Sequence, residues 1–435
     1  MRDSTAAPLP PLGHRLRAAN PLPQGTASVG IGLVANGIGA YLFLSLAGRS
    51  LGPEAFTPLS VMWALTFAAA PGLFLPLEQE VSRAVASRRA RHVGAGPVVR
   101  QAVAIGAVLL VAVLVLTLVT LPWSRSALFD DQSLLVAGFM LTLAGYALAH
   151  PVRGLLSGHG RFVDYSIYFS AEGLLRVVIA AAFLFVGVET AGPYGLVLGV
   201  VPFLATGAAL IRPRGLVEPG PPSRAGEVTA SFGALLAASM FTAALLNAGP
   251  IAVELLATDD QSDEAGRFLA GLVIARVPLF MFQAVQASLL PRLSHLAGGH
   301  QWVEFRAALR RLMVAVLGLG VVATLVAWLI GPFVVRVLFG PDFELGHRDL
   351  GLLALSSAAF MVAVALGQSL IALSSQTHLA VAWAIGLVVF VIVTALGEDL
   401  YLRVEMGLVV GTATVAIILA ALLASQLATV AGDPP

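Results

Sequence analysis

Twelve long apolar stretches run through this chain, and no other feature limits its fold as much. They lie near residues 27–48, 57–77, 99–121, 133–156, 164–187, 194–211, 230–257, 267–290, 312–331, 349–373, 379–396 and 406–429. A bilayer core takes about 20 apolar residues per helix, and lipid offers no partner to an unpaired amide, so stretches of this kind are predicted to span a membrane as α-helices. Composition agrees: 58% of the 435 residues are hydrophobic and 11% charged, where an average soluble chain carries about 25% charged residues.

Charge orients the spans. All 25 basic residues are arginine and the formal net charge is +1, which leaves no basic field for a nucleic acid. Arginine concentrates on alternate loops, most densely at Arg83, Arg88, Arg89, Arg91 and Arg100, while the opposite loops are acidic, as at Asp259, Asp260, Asp263 and Glu264. Positively charged loops stay in the cytoplasm, so both termini are predicted there, with the connections 82–98, 212–229 and 291–311 on the same side. Residues 1–26 read as a cytoplasmic tail rather than a cleaved signal, because they lack an apolar core. Cysteine is absent, so neither a disulfide framework nor a Cys-ligated metal is expected.

An internal repeat divides the chain. A shift of about 210 residues places Glu54-Ala55 on Glu264-Ala265 and Leu128-Phe129 on Leu338-Phe339, each pair at an equivalent place in a six-helix set. An even number of spans per half makes the halves parallel repeats about an axis along the membrane normal, an arrangement that sets a midplane site between them. The predicted organisation is an N-lobe at 27–211, a linker at 212–229, a C-lobe at 230–429 and a tail at 430–435.

The segments "SLAGRSLGPEAFTPLS" (45–60), "LEQEVSRAVASRR" (77–89), "LLPRLSHL" (289–296) and "VLFGPDFE" (337–344) resemble those of polysaccharide-type flippases in the multidrug/oligosaccharidyl-lipid/polysaccharide (MOP) exporter superfamily. Thr57 departs from the pattern, where a glycine is common. The resemblance implies an all-α fold of two six-helix lobes around a central cavity, alternating access, and flipping of a lipid-linked saccharide to the outer leaflet of a bacterial plasma membrane. It implies membrane lipids and that saccharide as partners, with H+ or Na+ as a possible coupling ion. It calls for no cofactor.

Ionisable groups within spans are costly and usually face a bundle interior or a wet cavity. Glu172 and Arg176 are spaced i,i+4 with the acid first, the favourable order for a same-face pair. Arg276 lies near the middle of the eighth span and Glu254 toward the outer end of the seventh. Arginine cannot shed its proton, so each intramembrane guanidinium needs an anion or water, and its fork fits phosphate oxygens. Asn36 beside Gly37 and Gly39, and Asn247 before Gly249-Pro250, occupy equivalent places in the two halves and are candidates for hinges or for close packing. Gln283, Gln286 and Gln368 are compatible with sugar hydroxyls or with interhelical hydrogen bonds. Arg153 is expected to snorkel to the inner interface, Glu78 and Glu80 to join an interfacial cluster with Arg83, and His150-Pro151 to mark a kink.

Three other functions set the tests. A cation-coupled drug or metabolite exporter would need a deep carboxylate free to take up an ion. A polytopic glycosyltransferase or polymerase would need a sizeable outer loop carrying acid, base or metal-binding groups, which this sequence lacks, so an enzyme is not expected. A scaffold that kept only the fold would have a filled midplane.

Overall fold

The computed structural model describes residues 26–223, 232–279, 301–372 and 376–432, together with Phe282, Leu293 and Leu296. Among these residues the regular structure is all helical. The first run, Thr26–Ala90, is two helices joined at Gly52, whose φ of 72° and ψ of 170° lie outside helical values. Glycine reaches positive φ without steric cost, and Pro53 after it suits a helix's first position, where the missing N–H is no loss. The two helices are α1 (26–51) and α2 (53–90). There follow α3 Gly96–Phe129, α4 Ser133–Gly158, α5 Phe162–Val186 and α6 Ala191–Leu210, then α7 Phe232–Leu256, α8 Glu264–Ala275, α9 Trp302–Phe339, α10 His347–Ala372, α11 Gln376–Leu396 and α12 Leu400–Gly432.

The described helices fall on the apolar stretches, the eighth of which is described as helix only over Glu264–Ala275, and with α1 and α2 counted as one run, ten helical stretches among the described residues are long and apolar enough to cross a membrane. The chain is a multi-pass integral membrane protein whose α1–α6 and α7–α12 form two six-helix lobes. Several helices overrun their predicted spans. Arg83, Arg88 and Arg89 belong to the last turns of α2 rather than to a loop, and α9 already begins at Trp302. Helical backbone satisfies its own hydrogen bonds on either side of the interface, so the apolar length of a span does not mark the helix end.

Small residues bring helices together within each lobe. A Cβ on Gly39 of α1 would lie 2.5 Å from the Cα of Gly173 on α5, and one on Gly138 of α4 would lie 2.6 Å from the Gly195 carbonyl carbon on α6. Such approaches let helix backbones gain dispersion contacts where lipid removes any hydrophobic drive. Gly39 and Gly249 therefore serve packing, the first against the Gly173 backbone and the second against the ring of Phe268.

The lobes close on each other at the end that bears Gly52. Arg49 at the end of α1 donates from Nε to the Leu338 carbonyl at 2.8 Å and also bonds Val337, both in the last turn of α9. Ser45 donates to the same Leu338 carbonyl. Thr57 Oγ1 accepts the Gly266 amide at 3.1 Å in the first turn of α8. The ring of Phe56 sits between Phe339 and Phe343, with centroids 6.1 and 5.7 Å away.

Candidate functional site: an arginine-lined cavity between the lobes

A cavity of about 610 Å³ opens between the lobes, bounded by α1, α2, α5, α7, α8, α10 and α11. It reaches from the level of Leu44 and Trp63 to that of Gln79, Leu235 and Ile371, so it extends toward the end of the molecule that holds the arginine-rich loops. The contacts of Arg49, Phe56 and Thr57 seal the opposite end.

Four sequence-predicted residues meet in this cavity, Asn36 and Arg176 from the N-lobe and Asn247 and Arg276 from the C-lobe, and Gln368 lines it as well. Among the described residues no Asp or Glu lines it. Glu172 stands behind Arg176, not in the cavity wall. Glu254 is half-buried toward the acidic end of α7 and also lies away from the lining, a correction explained by its late position on a helix that contributes only residues 235–247. Gln283 and Gln286 lie outside the described residues.

Arg176 is held from behind. Its Nη2 donates to Glu172 Oε1 at 2.5 Å and to the Tyr146 hydroxyl at 2.7 Å, and that hydroxyl donates to Glu172 at 2.7 Å. Glu172 and Arg176 are each 1% exposed, as the i,i+4 spacing requires once that face of α5 turns inward. The guanidinium carbon stands 5.9 Å from the centre of the Trp63 ring, close enough for the ring's negative face to favour the cation. Nε has no partner among the described residues.

Arg276 is placed by a break in its helix. α8 ends at Ala275, and the Arg276 amide divides between the carbonyls of Leu272 and Val273 at 3.1 and 3.3 Å. Pro278 has no N–H to return to Ile274 and disfavours helical geometry in the residue before it, which loosens the helix at the level of the charge. The Arg276 guanidinium donates from Nη1 to Asn247 Oδ1 at 3.3 Å.

A second polar cluster lies inside the N-lobe and corrects two expectations. Glu78 points inward rather than to the interface and accepts from Arg153 Nη2 at 2.9 Å, from the Tyr165 hydroxyl at 2.8 Å and from His150 Nδ1 at 2.9 Å. Arg153 is 9% exposed, its guanidinium carbon 4.5 Å from the centre of Phe169. It does not snorkel, because a carboxylate and an aromatic face are nearer than the headgroups. His150 is a buried hydrogen-bonding residue, and Pro151 beside it lies inside α4. Only Glu80 makes the expected pair with Arg83, at 2.6 Å.

Sequence reasoning missed Tyr41, Trp63, Phe67, Gln79, Phe360 and Trp383 among the lining residues. The i,i+4 spacing of Trp63 and Phe67 signalled one helix face, but aromatic side chains at that spacing are common in any apolar core, and only the lobe arrangement shows that this face meets the cavity.

This arrangement has known counterparts. A solved structure described as the inward-facing conformation of a multidrug resistance MATE family transporter of the MOP superfamily superposes with a TM-score of 0.71 and 17% identity, covering 91% of this chain and 96% of its own. The fold is that of the MATE transporters. The outward-facing conformation of a multidrug resistance MATE family transporter superposes with a TM-score of 0.66 and 14% identity over 97% of this chain and 99% of its own. The MATE-like fold accounts for the two six-helix lobes. Related sequences include an uncharacterized protein of Mycobacterium tuberculosis, 26% identical over 398 residues and 88% of each chain, and one of Mycobacterium bovis, 25% identical over 390 residues and 86% of each. No family model matches.

Proposed function

We propose that this protein is a membrane transporter that flips a lipid-linked oligosaccharide or polysaccharide precursor from the cytoplasmic to the outer leaflet by alternating access, with Arg276 and Arg176 receiving the phosphate groups. The observation that carries this reading is the cavity wall: two arginines from opposite lobes line it and, among the described residues, no carboxylate does. A cationic, low-dielectric cavity attracts anions, and guanidinium forks bind phosphate oxygens in pairs. With the arginine-rich loops in the cytoplasm, the cavity faces the leaflet where such a precursor is made. The open volume argues against a scaffold with a filled midplane.

A drug exporter of the same superfamily is the second reading, favoured by the multidrug transporters that share the fold. A cationic drug would meet the Arg276 guanidinium here and, among the described residues, no acid in the cavity wall.

Purified protein in liposomes tests the first reading, with a short-chain prenyl pyrophosphate saccharide as cargo and a membrane-impermeant sugar oxidant as the reporter of its leaflet. Wild-type protein is expected to expose the sugar. Arg276→Ala is expected to abolish transfer with membrane yield intact, and Arg276→Lys to restore only part of it, since the bidentate fork is lost. Undiminished transfer by the alanine variant, or efflux of lipophilic cations without transfer of the saccharide lipid, rejects the reading.

A further inference from the structure

The two cavity arginines differ in how their charge is matched. Arg176 stands 2.5 Å from the Glu172 carboxylate, so that corner of the cavity is close to neutral. Arg276 has no carboxylate at ion-pair distance among the described residues, and residues 280–300, which continue its segment, contain no Asp or Glu. Its guanidinium instead meets an amide. Asn247 is 4% exposed, its Nδ2 donates to the Ala243 carbonyl at 2.9 Å, and its Oδ1 accepts from Arg276 at 3.3 Å. Because the carbonyl can only accept, the bond to Ala243 assigns the amide and leaves Oδ1 for the arginine.

Resting on the anion-carrying reading above, we propose that Asn247 sets the charge selectivity of the cavity: it is a neutral acceptor that aims the Arg276 guanidinium without cancelling its charge, so that the phosphate of the cargo supplies the missing anion. A buried carboxylate in the same place would accept the same hydrogen bond and complete an ion pair. It would take the role of the cargo. Aspartate has the shape of asparagine, so Asn247→Asp changes the charge at this position while keeping its geometry. Asn247 is a positioning residue in this scheme, and the group that touches the phosphate is Arg276.

The test uses full-length protein in lipid nanodiscs and measures binding of farnesyl pyrophosphate, of the neutral alcohol farnesol, and of tetraphenylphosphonium as a lipophilic cation. Wild-type protein is expected to prefer the pyrophosphate over the alcohol. Asn247→Asp is expected to lose that preference by at least about tenfold, as pairing of a buried charge removes it from recognition, to bind the cation no worse than wild type, and to melt no lower. Asn247→Leu, which removes the acceptor and adds no charge, is expected to keep a preference for the anion with weaker binding. Should the aspartate variant fail to fold, Asn247→Glu delivers the same charge one methylene further out. A folded aspartate or glutamate variant that still prefers the pyrophosphate overturns the proposal. Arg276→Gln separates the two levels of the argument. Loss of the anion preference in Arg276→Gln but not in Asn247→Asp rejects the role of Asn247 and keeps the anion cavity, while retention in Arg276→Gln rejects the anion cavity and the proposal with it.

Discussion

At the scale of single residues, the N-lobe interior buries the guanidinium–carboxylate pairs Arg176–Glu172 at 2.5 Å and Arg153–Glu78 at 2.9 Å. Neither arginine can be neutralised, so removing one acid strands a charge in an apolar phase, and breaking a buried pair typically costs about 3–5 kcal/mol. A hydrogen bond to a charged group, such as those of the Tyr146 hydroxyl, contributes less, about 1.5–3 kcal/mol. The order of effects follows from these magnitudes. Glu172→Gln is expected to lower the melting temperature in detergent more than Tyr146→Phe does, and the double variant Glu172→Gln with Arg176→Gln is expected to be more stable than Glu172→Gln alone. Strictly additive effects in that double-mutant comparison would show that the residues do not interact. Full transport by a stable double variant would confine the pair to architecture and leave Arg276 as the group that receives the cargo.

Among elements, two kinds of contact divide the work. Within the N-lobe, α1 and α5 approach so closely at Gly39 and Gly173 that a Cβ on Gly39 would meet backbone atoms at 2.5 to 2.7 Å. Backbone cannot swing aside as a side chain can. Gly39→Val is therefore expected to separate the helices and to lower both membrane yield and melting temperature, an outcome read by thermal-shift fluorescence, whereas Gly30→Ala on the same helix, where an added Cβ meets nothing within 4 Å, is expected to be neutral. Between the lobes, the contacts join helix ends. Arg49 donates to carbonyls in the final turn of α9, and the Thr57 hydroxyl accepts an amide in the first turn of α8. Helix termini leave such groups unpaired, and the sign of each partner suits the helix dipole it meets. These bonds exist only while the lobes are closed at this end, so Arg49→Ala with Thr57→Val is expected to favour the state open there. Accessibility of a cysteine introduced at Leu44, deep in the cavity wall, to an impermeant thiol reagent from outside should rise in that variant.

At the scale of the whole molecule, alternating access requires the seal near Gly52 to open. A Cβ on Gly266 would lie 2.8 Å from the Pro53 carbonyl oxygen and 2.9 Å from Thr57 Oγ1, so Gly266→Val is expected to wedge this end apart and to raise labelling of the Leu44 cysteine from outside. Unchanged labelling in a folded Gly266→Val variant would show that this contact does not hold the end closed. The sidedness is checked in the same cysteine-free background. A cysteine replacing His92 is expected to be shielded from an impermeant reagent applied outside intact cells, and one replacing Asp260, at the opposite end, to be labelled. Both positions are exposed, so the reverse pattern would invert the topology and with it the direction in which the cavity faces.

Most of the fold was legible in the chain because a bilayer leaves apolar stretches of this length one way to satisfy their amides. The described helices fall on the apolar stretches, and the i,i+4 spacing of Glu172 and Arg176 anticipated their pairing. Helix ends were less legible, since α2 and α9 continue as helix into water, where hydropathy no longer marks them. The partners of buried charges were the least legible of all. Nothing local to Arg153 says that Glu78, on another helix, turns inward to meet it, and nothing local to Arg276 says that its neighbour is an amide on α7. The sequence by itself determined that the protein spans a membrane many times and which residues carry charge into that membrane. Only the tertiary structure decided which of those charges are matched and which face the cavity, because pairing across helices depends on lobe packing that no stretch of sequence encodes alone.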